Sequence, residues 1–258
     1  MTDSPPLLVL ADDGTAPSTT AWNWMSQQPW KGWRVAVMTA DETAIEWGRP
    51  AEIIEWTPEW ERPPEMIPDA TVRFLHVNAD PRVMLAERED ADLIVVGMRS
   101  ESHLEAVVSG STTEWLLHHP PAPLVVVTRS GRVRNVTVCV DGSDHALAAL
   151  DSYLSLPLSD GTNLTLLSVE DGRVDAEAAL KRAQLRLEGA AMAVNSTIGQ
   201  GRPTPSILDH IATHTPDLVV MGTRGLTGWQ RLRLGSTALA VVRSAKTTCL
   251  VTSAPAAD

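Results

Sequence analysis

Four short segments of this chain occur twice, in the same order. Val138-Cys139-Val140-Asp141-Gly142-Ser143 is echoed by Leu10-Ala11-Asp12-Asp13-Gly14-Thr15, 128 residues earlier. Asp217-Leu218-Val219-Val220-Met221-Gly222 is echoed by Asp92-Leu93-Ile94-Val95-Val96-Gly97, and Gly235-Ser236-Thr237 by Gly110-Ser111-Thr112, both 125 residues earlier. The halves also end alike, Leu124-Val125-Val126-Val127-Thr128 against Cys249-Leu250-Val251-Thr252. A repeat of this length is a whole folding unit, so the two halves are expected to share one fold. The seam falls near Arg129-Ser130-Gly131-Arg132, which sets expected domains at 1–130 and 131–258.

The second half reads cleanly. Val133–Val140 is a β-branched run ending in Asp-Gly-Ser, a turn and helix-cap signal. A helix is expected from about Asp144 to Leu156, a strand over Asn163–Val169, an amphipathic helix over Val174–Val194 and a short strand near Asn195–Ile198. A helix from Pro205 to about His214, a strand at Asp217–Met221, a helix at Ser236–Ser244 and a strand at Thr248–Thr252 complete the unit. Apolar strands alternating with helices predict a parallel sheet with helices on both faces, hence an α/β chain of two tandem domains. Ligands of such sheets sit at the carboxyl ends of the strands, where Asp141 and Gly222 both fall. The first half follows the plan to about Thr39. There Trp47-Gly48-Arg49-Pro50, Trp56-Thr57-Pro58 and Arg62-Pro63-Pro64 stand in place of the long helix, with prolines too dense to permit one. An irregular, Trp-containing cover is expected between Asp41 and Ala70, then strand Thr71–Asn78 and helix Arg82–Arg88.

Charge separates the two copies. Residues 1–130 hold 9 Lys+Arg against 20 Asp+Glu, whereas residues 131–258 hold 12 against 12. Eight of the nine tryptophans also precede residue 130, and they read as packing or as an inter-domain contact. An acidic surface argues against nucleic acid or an anionic membrane as partner. No apolar run approaches the ~20 residues of a membrane span. The start, Met1-Thr2-Asp3-Ser4-Pro5-Pro6, lacks the basic and apolar regions of an export signal, so a cytoplasmic location is expected. Cys139 and Cys249 sit in separate apolar runs and are expected to be buried free thiols. His210 and His214 are four apart without Cys or carboxylate company, so they read as surface and no metal site is expected. His118-His119 read as a helix end before Pro120-Pro121. No Ser/His/Asp grouping emerges, and none of Lys31, Lys181 and Lys246 lies in a phosphate-loop setting.

The strand Asp217–Met221 feeds Gly222-Thr223-Arg224-Gly225, nine residues, then Gly235-Ser236 at a helix start. A strand, a Gly-rich loop and a helix N-terminus together make an anion site, because backbone N–H groups and the helix dipole converge there. With the Asp-Gly-Ser turn, this chain resembles the universal stress protein family in its tandem form. The family signature G-x2-G-x9-G-[S/T] is matched in full by Gly222, Gly225, Gly235 and Ser236. The resemblance implies a five-stranded parallel sheet in each unit, of the adenine nucleotide alpha-hydrolase-like, Rossmann-like type. In one branch of the family it also implies bound ATP, with Mg²⁺ as a possible companion. Carried onto this sequence, Val140, Asp141 and Gly142 lie near ribose and adenine, while Ser168 and Val169 border the adenine. Met221, Gly222, Arg224 and Gly225 flank the phosphates, and Gly235, Ser236 and Thr237 supply donors at the helix start. Arg231 and Arg233 lie in the nine-residue segment, where they either neutralise phosphate charge or stand solvated. The resemblance further implies edge-to-edge pairing of the last strands, Leu124–Thr128 with Cys249–Thr252. That makes an internal pseudo-dimer, with a homodimer as a further form.

The first copy departs from the pattern. Its corresponding residues are Asp13, Gly97, Arg99, Gly110 and Ser111, but Ser100 replaces the second glycine. Where that position requires φ > 0, serine costs about 1 kcal/mol. Glu101 and Glu105 stand where the second copy has Leu226 and Gln230, and carboxylates there repel a polyphosphate. Asp12 beside Asp13 adds more acid. The first site is therefore expected to be weak or empty. The expected function is a cytoplasmic, ATP-binding stress-response regulator with little catalysis, reporting to an unidentified protein partner. A slow ATPase, or phosphoryl transfer to Ser236 or Ser111, is one alternative. A nucleotide-independent interaction module built on the acidic, Trp-rich half is the other.

Overall fold

The computed structural model describes residues 4–41, 52–58, 60, 62–98, 112–189, 192–223 and 235–252. Contacts divide the chain into two units, Met1–Gly131 and Arg132–Asp258. The first holds β1 (Leu7–Ala11), α1 (Ala16–Met25), β2 (Arg34–Ala40), β3 (Ile53–Glu55), β4 (Thr71–Val77), α2 (Pro81–Ala86), β5 (Leu93–Gly97), α3 (Thr112–His118) and β6 (Leu124–Val127). The second holds β7 (Asn135–Cys139), α4 (Asp144–Ser155), β8 (Asn163–Glu170), α5 (Ala176–Arg186), β9 (Ala193–Gln200), α6 (Pro203–His214), β10 (Leu218–Gly222), α7 (Ser236–Ser244) and β11 (Thr248–Thr252).

Runs such as Leu93-Ile94-Val95-Val96 are apolar at every position, which suits strands buried on both faces of a parallel sheet. In the second unit the strand order is β9-β8-β7-β10-β11, every pair parallel. The first unit repeats it as β4-β2-β1-β5-β6, all parallel, and adds β3 antiparallel on the edge strand β4. The five parallel strands expected of each unit are present, and the sixth strand of the first unit comes from the stretch expected to be irregular. Ile53–Glu55 forms it between Pro50 and Pro58, pairing Ile53 with Val77, Ile54 with His76 and Glu55 with Leu75. A 3₁₀ turn at Pro64–Met66 follows it.

Right-handed crossovers put α4 and α5 on one face of the second sheet and α6 and α7 on the other. The packing agrees: α4 lies on β10 and β11, α5 on β8, and α6 against α7. The cores are the strand interiors, with Leu8, Leu10, Ile94, Val138, Leu166, Val220 and Leu250 fully buried. Each such side chain contributes about 1.5–3 kcal/mol relative to exposure. Four tryptophans, Trp22, Trp24, Trp30 and Trp33, are core residues of the first unit. Trp30 meets Trp24 and Trp33 at ring separations of 6.5 and 5.4 Å, and its indole N–H donates to the Met25 carbonyl at 2.8 Å.

Two expectations need correction. The helix expected to run to Val194 ends at Arg186, the chain turns at Gly189 (φ +86°), and the alternating stretch from Ala193 joins the sheet as an eight-residue strand. His210 is buried rather than on the surface, because Ile207, His210 and Ile211 form the stripe that α6 turns inward. Its ring meets Thr137 Oγ1 at 3.2 Å and stacks on His214 at 4.1 Å. Burial, with His214 adding to it, lowers the His210 pKa from 6.5.

Candidate functional site

Strand order reverses between β7 and β10 in the second unit and between β1 and β5 in the first. The chain leaves neighbouring strands toward opposite faces at such a point, which opens a crevice at their carboxyl ends. In the second unit Asp141 follows β7, and its Oδ1 accepts from Ser143 N at 3.0 Å and from Ser143 Oγ at 2.6 Å. Ser143 Oγ in turn accepts from Ala146 N, capping α4. Gly142 between them has φ +80°, the left-handed value the turn needs. The turn thus fixes the aspartate at the rim, while Val140 beneath it is buried. Arg182 of α5 donates to the Gly142 carbonyl and reaches Asp144 at 3.1 Å, bracing the turn from outside.

Across the crevice, Gly222 ends β10. A Cβ there would stand 2.7 Å from the backbone carbonyl of His145, in the first turn of α4. Its missing side chain is therefore a packing requirement, letting α4 cross the strand end. Thr223 N donates to the Thr252 carbonyl at 2.7 Å, and Gly235 N to the Thr223 carbonyl, so the start of α7 is tied to the end of β10. Among the described residues no side chain caps α7 at Gly235, and no acid stands in its first turn. Its leading N–H groups, at Ser236 and Thr237, carry the helix's positive end. Three buried hydroxyls at the same edge of the sheet, Ser168, Thr223 and Thr252, have no hydrogen-bond partner among the described residues. An unmade bond of that kind costs about 1–3 kcal/mol. Val169, the last buried residue of β8, lies beside Ser168, and Met221 is buried beneath Gly222. Arg224, Gly225, Arg231 and Arg233 lie outside the described residues.

The first unit reproduces the turn. Asp13 Oδ1 accepts from Thr15 N at 3.0 Å and from Thr15 Oγ1 at 2.6 Å, with Gly14 at φ +73°. Gly97 repeats the close approach even more tightly, its notional Cβ falling 2.1 Å from the Pro17 carbonyl oxygen. The space above β1 is filled by the unit's own chain. Asp12, standing where the second unit has Val140, is buried and takes Arg62 Nε at 2.9 Å and Nη2 at 3.2 Å. The Trp60 indole N–H donates to the same carboxylate at 2.9 Å, and its ring lies 2.8 Å from where a Gly14 Cβ would be. Arg62 also donates to Thr19 Oγ1 at 3.0 Å, and Trp56 packs on Trp60 at 5.3 Å. Thr39, the counterpart of the unpartnered Ser168, donates to the Asp12 carbonyl at 2.9 Å.

Asp12 is thus a partnered internal residue rather than loose acid at a phosphate site. A carboxylate at a strand end where the repeat has valine was the available signal, since a buried charge demands a counter-charge. Its partner, 50 residues away, was not identifiable. Arg99, Gly110 and Ser111 of the first loop lie outside the described residues, as do Ser100, Glu101 and Glu105. Both cysteines are free, and burial pushes the Cys249 thiol up to about 12. Among the described residues no group of three or more His, Cys, Asp or Glu is placed to hold a metal ion, and no helix is long and apolar enough to cross a membrane.

Fold and crevice together define a tandem, doubly wound α/β protein with a crevice at the switch point of its second unit. The family model of the universal stress protein family matches residues 67–128 and 169–253, more than half of the chain. The chain belongs to that family. It is 26% identical over 212 residues to a universal stress protein of Mycobacterium bovis, covering 72% of this chain and 66% of that protein, just short of two-thirds of the relative's length. A Thermus aquaticus universal stress protein is 33% identical over 127 residues, 43% of this chain and 93% of its own. Among solved structures, a universal stress protein of Archaeoglobus fulgidus superposes with a TM-score of 0.69 at 21% identity, covering 96% of this chain and 98% of that one. That likeness is one of fold.

Proposed function

We propose that the second unit binds an adenine nucleotide, ATP by preference, at the β7/β10 crevice, and that the first unit does not. The observation carrying this reading is the contrast between two crevices of the same design. One presents Asp141, the N-terminus of α7 and three buried hydroxyls without a partner among the described residues. The other is filled by Trp60 and Arg62. Asp141 takes the ribose hydroxyls, and backbone groups near Ser168 and Val169 read the adenine. The phosphates lie against the N–H groups of Ser236 and Thr237, with Gly222 to Gly225 alongside. Mg²⁺ would accompany the phosphates and offset their charge. The chain then acts as a nucleotide-dependent stress-response regulator, with occupancy as its signal to a protein partner. Fast phosphoryl transfer is outside this reading, since none of the three lysines stands in a phosphate loop.

Calorimetric titration of ATP into the full chain tests it. One site per chain is expected. Asp141→Ala is expected to weaken binding about tenfold or more, the worth of a hydrogen bond to a charged group. Two equivalent sites, or no binding, would sink the proposal.

A further inference from the structure

The outer strand of the second unit has the makings of a pairing edge. Proteins blunt exposed edge strands with shortness, proline, charge or a bulge, because a row of unpaired N–H and C=O groups templates another strand. The first unit follows that rule. Its strand β4 is covered by β3, which has three residues, lies between Pro50 and Pro58 and carries Glu55 paired with Arg73 at 3.3 Å. The counterpart of β4 in the second unit is β9, outermost in the order β9-β8-β7-β10-β11. None of those devices is present in it. Ala193–Gln200 runs for eight residues in unbroken register with β8, without a proline or a charge. No strand pairs with its outer side among the described residues, and Ile198 stands on it 39% exposed.

The geometry of that edge specifies what fits it. Gly201 N donates to the Glu170 carbonyl at 3.0 Å, so the odd-numbered residues of β9 turn their backbone groups toward β8. Val194, Ser196, Ile198 and Gln200 therefore turn theirs outward. Helices occupy the two faces: Gln184 of α5 reaches Ser196 Oγ at 3.0 Å, and Ser206 of α6 stands over Gly199. What stays open is the edge. We propose that β9 pairs antiparallel with β9 of a second copy of this chain, about a twofold axis at Thr197. In that register Val194 faces Gln200 and Ser196 faces Ile198, so every outward N–H and C=O group finds a partner. An axis two residues away would set either Ile198 and Gln200 or Val194 and Ser196 opposite chain beyond the strand. Charge selects a second copy at this unit. Residues 131–258 hold 12 Lys+Arg against 12 Asp+Glu, whereas residues 1–130 hold 9 against 20, so second units meet without the net repulsion that first units would carry.

Sedimentation velocity of the full chain at about 1 to 200 µM tests the proposal. A monomer–dimer equilibrium is expected, with a Kd on the order of 10 µM, as suits an edge contact smaller than a standard interface. Ile198→Lys sets two lysines diagonally across the axis and should weaken the dimer at least tenfold, with the circular dichroism of the parent retained. Thr197→Cys reads the register directly. Residues on the axis occupy a non-hydrogen-bonded position with Cα atoms about 4.5 Å apart, within disulfide reach. Diamide, which takes two electrons and two protons from a pair of thiols, should therefore join two chains of Thr197→Cys. The parent should stay unlinked, as should Asn195→Cys, whose position lies opposite Gly199. The proposal is overturned by a monomer throughout that range, by a dimer that Ile198→Lys leaves as tight, or by cross-linking of Asn195→Cys as fast as that of Thr197→Cys. Growth beyond the dimer would also overturn it, since a head-to-tail contact of β9 with β3 of the next chain does not close.

Discussion

Replacing Arg62 by leucine isolates the element that distinguishes the first crevice from the second. The side chain is 5% exposed, and the Asp12 carboxylate it binds is 0% exposed. Removing one partner of a buried ion pair costs about 3–5 kcal/mol, because the remaining charge stays desolvated. Asp12 keeps donors from Trp60 Nε1 at 2.9 Å and Gly14 N at 3.0 Å, so Arg62→Leu belongs at the lower end, about 3 kcal/mol. Asp12→Val takes the carboxylate from a buried guanidinium that also donates to Thr19 Oγ1, and belongs in the same range, about 3–5 kcal/mol. The double variant restores an apolar pair, with valine at the position where the repeat already has Val140, and should cost no more than about 2 kcal/mol. The expected coupling is therefore several kcal/mol. Urea unfolding followed by tryptophan fluorescence reads the first unit, since eight of nine tryptophans lie in it. With m about 2 kcal/mol/M, a 3 kcal/mol loss lowers the midpoint by about 1.5 M. Additive single effects, or a coupling under about 1 kcal/mol, would refute the claim that Arg62 and Asp12 fill the crevice as a unit.

Three other outcomes follow from the geometry. Gly97→Ala and Gly222→Ala should each destabilise by about 1–3 kcal/mol by overpacking, with Gly97 the worse because its Cβ would stand 2.1 Å rather than 2.7 Å from helix backbone; thermal unfolding checks the order. His210 has its pKa lowered by burial, so the native state favours the neutral ring. Stability from this residue is complete above about 6.5 and is lost as pH falls through that value toward the lower native pKa, a slope that His210→Gln should remove from a pH series of urea midpoints. Thr223→Val deletes a buried hydroxyl that has no partner, so it should leave stability unchanged or raise it by up to about 1 kcal/mol; a loss above 1 kcal/mol in urea unfolding would mean the hydroxyl is satisfied.

The alternation of apolar strands with helices was readable residue by residue, because a parallel strand buried on both faces leaves a continuous apolar run. Asp141 and Asp13 were readable as turn residues for the same local reason: the bonds they make span two residues. What escaped was non-local. Trp60 and Arg62 reach Asp12 across 48 and 50 residues of Pro-rich chain with no periodicity to announce a contact. The end of α5 escaped because Leu187–Ala193 carries the composition of a helix, while the register with β8 draws the following residues into the sheet. Gly222 and Gly97 were legible as important, but for a purpose that both halves share: clearance for the helix that follows the first strand. That purpose explains why the first glycine persists in a loop whose second glycine has become Ser100.

The Trp60–Arg62 insert has a consequence for how the chain can respond. An occupant that is covalently part of the protein has no concentration. It neither titrates with supply nor dissociates when supply fails, and its local presence exceeds what a freely diffusing competitor attains. The first crevice is thus a constant, carrying the shape of an occupied site under all conditions. On the function proposed above, with one crevice constant and the other exchangeable, nucleotide binding is expected to follow a simple hyperbola, free of cooperativity between the halves.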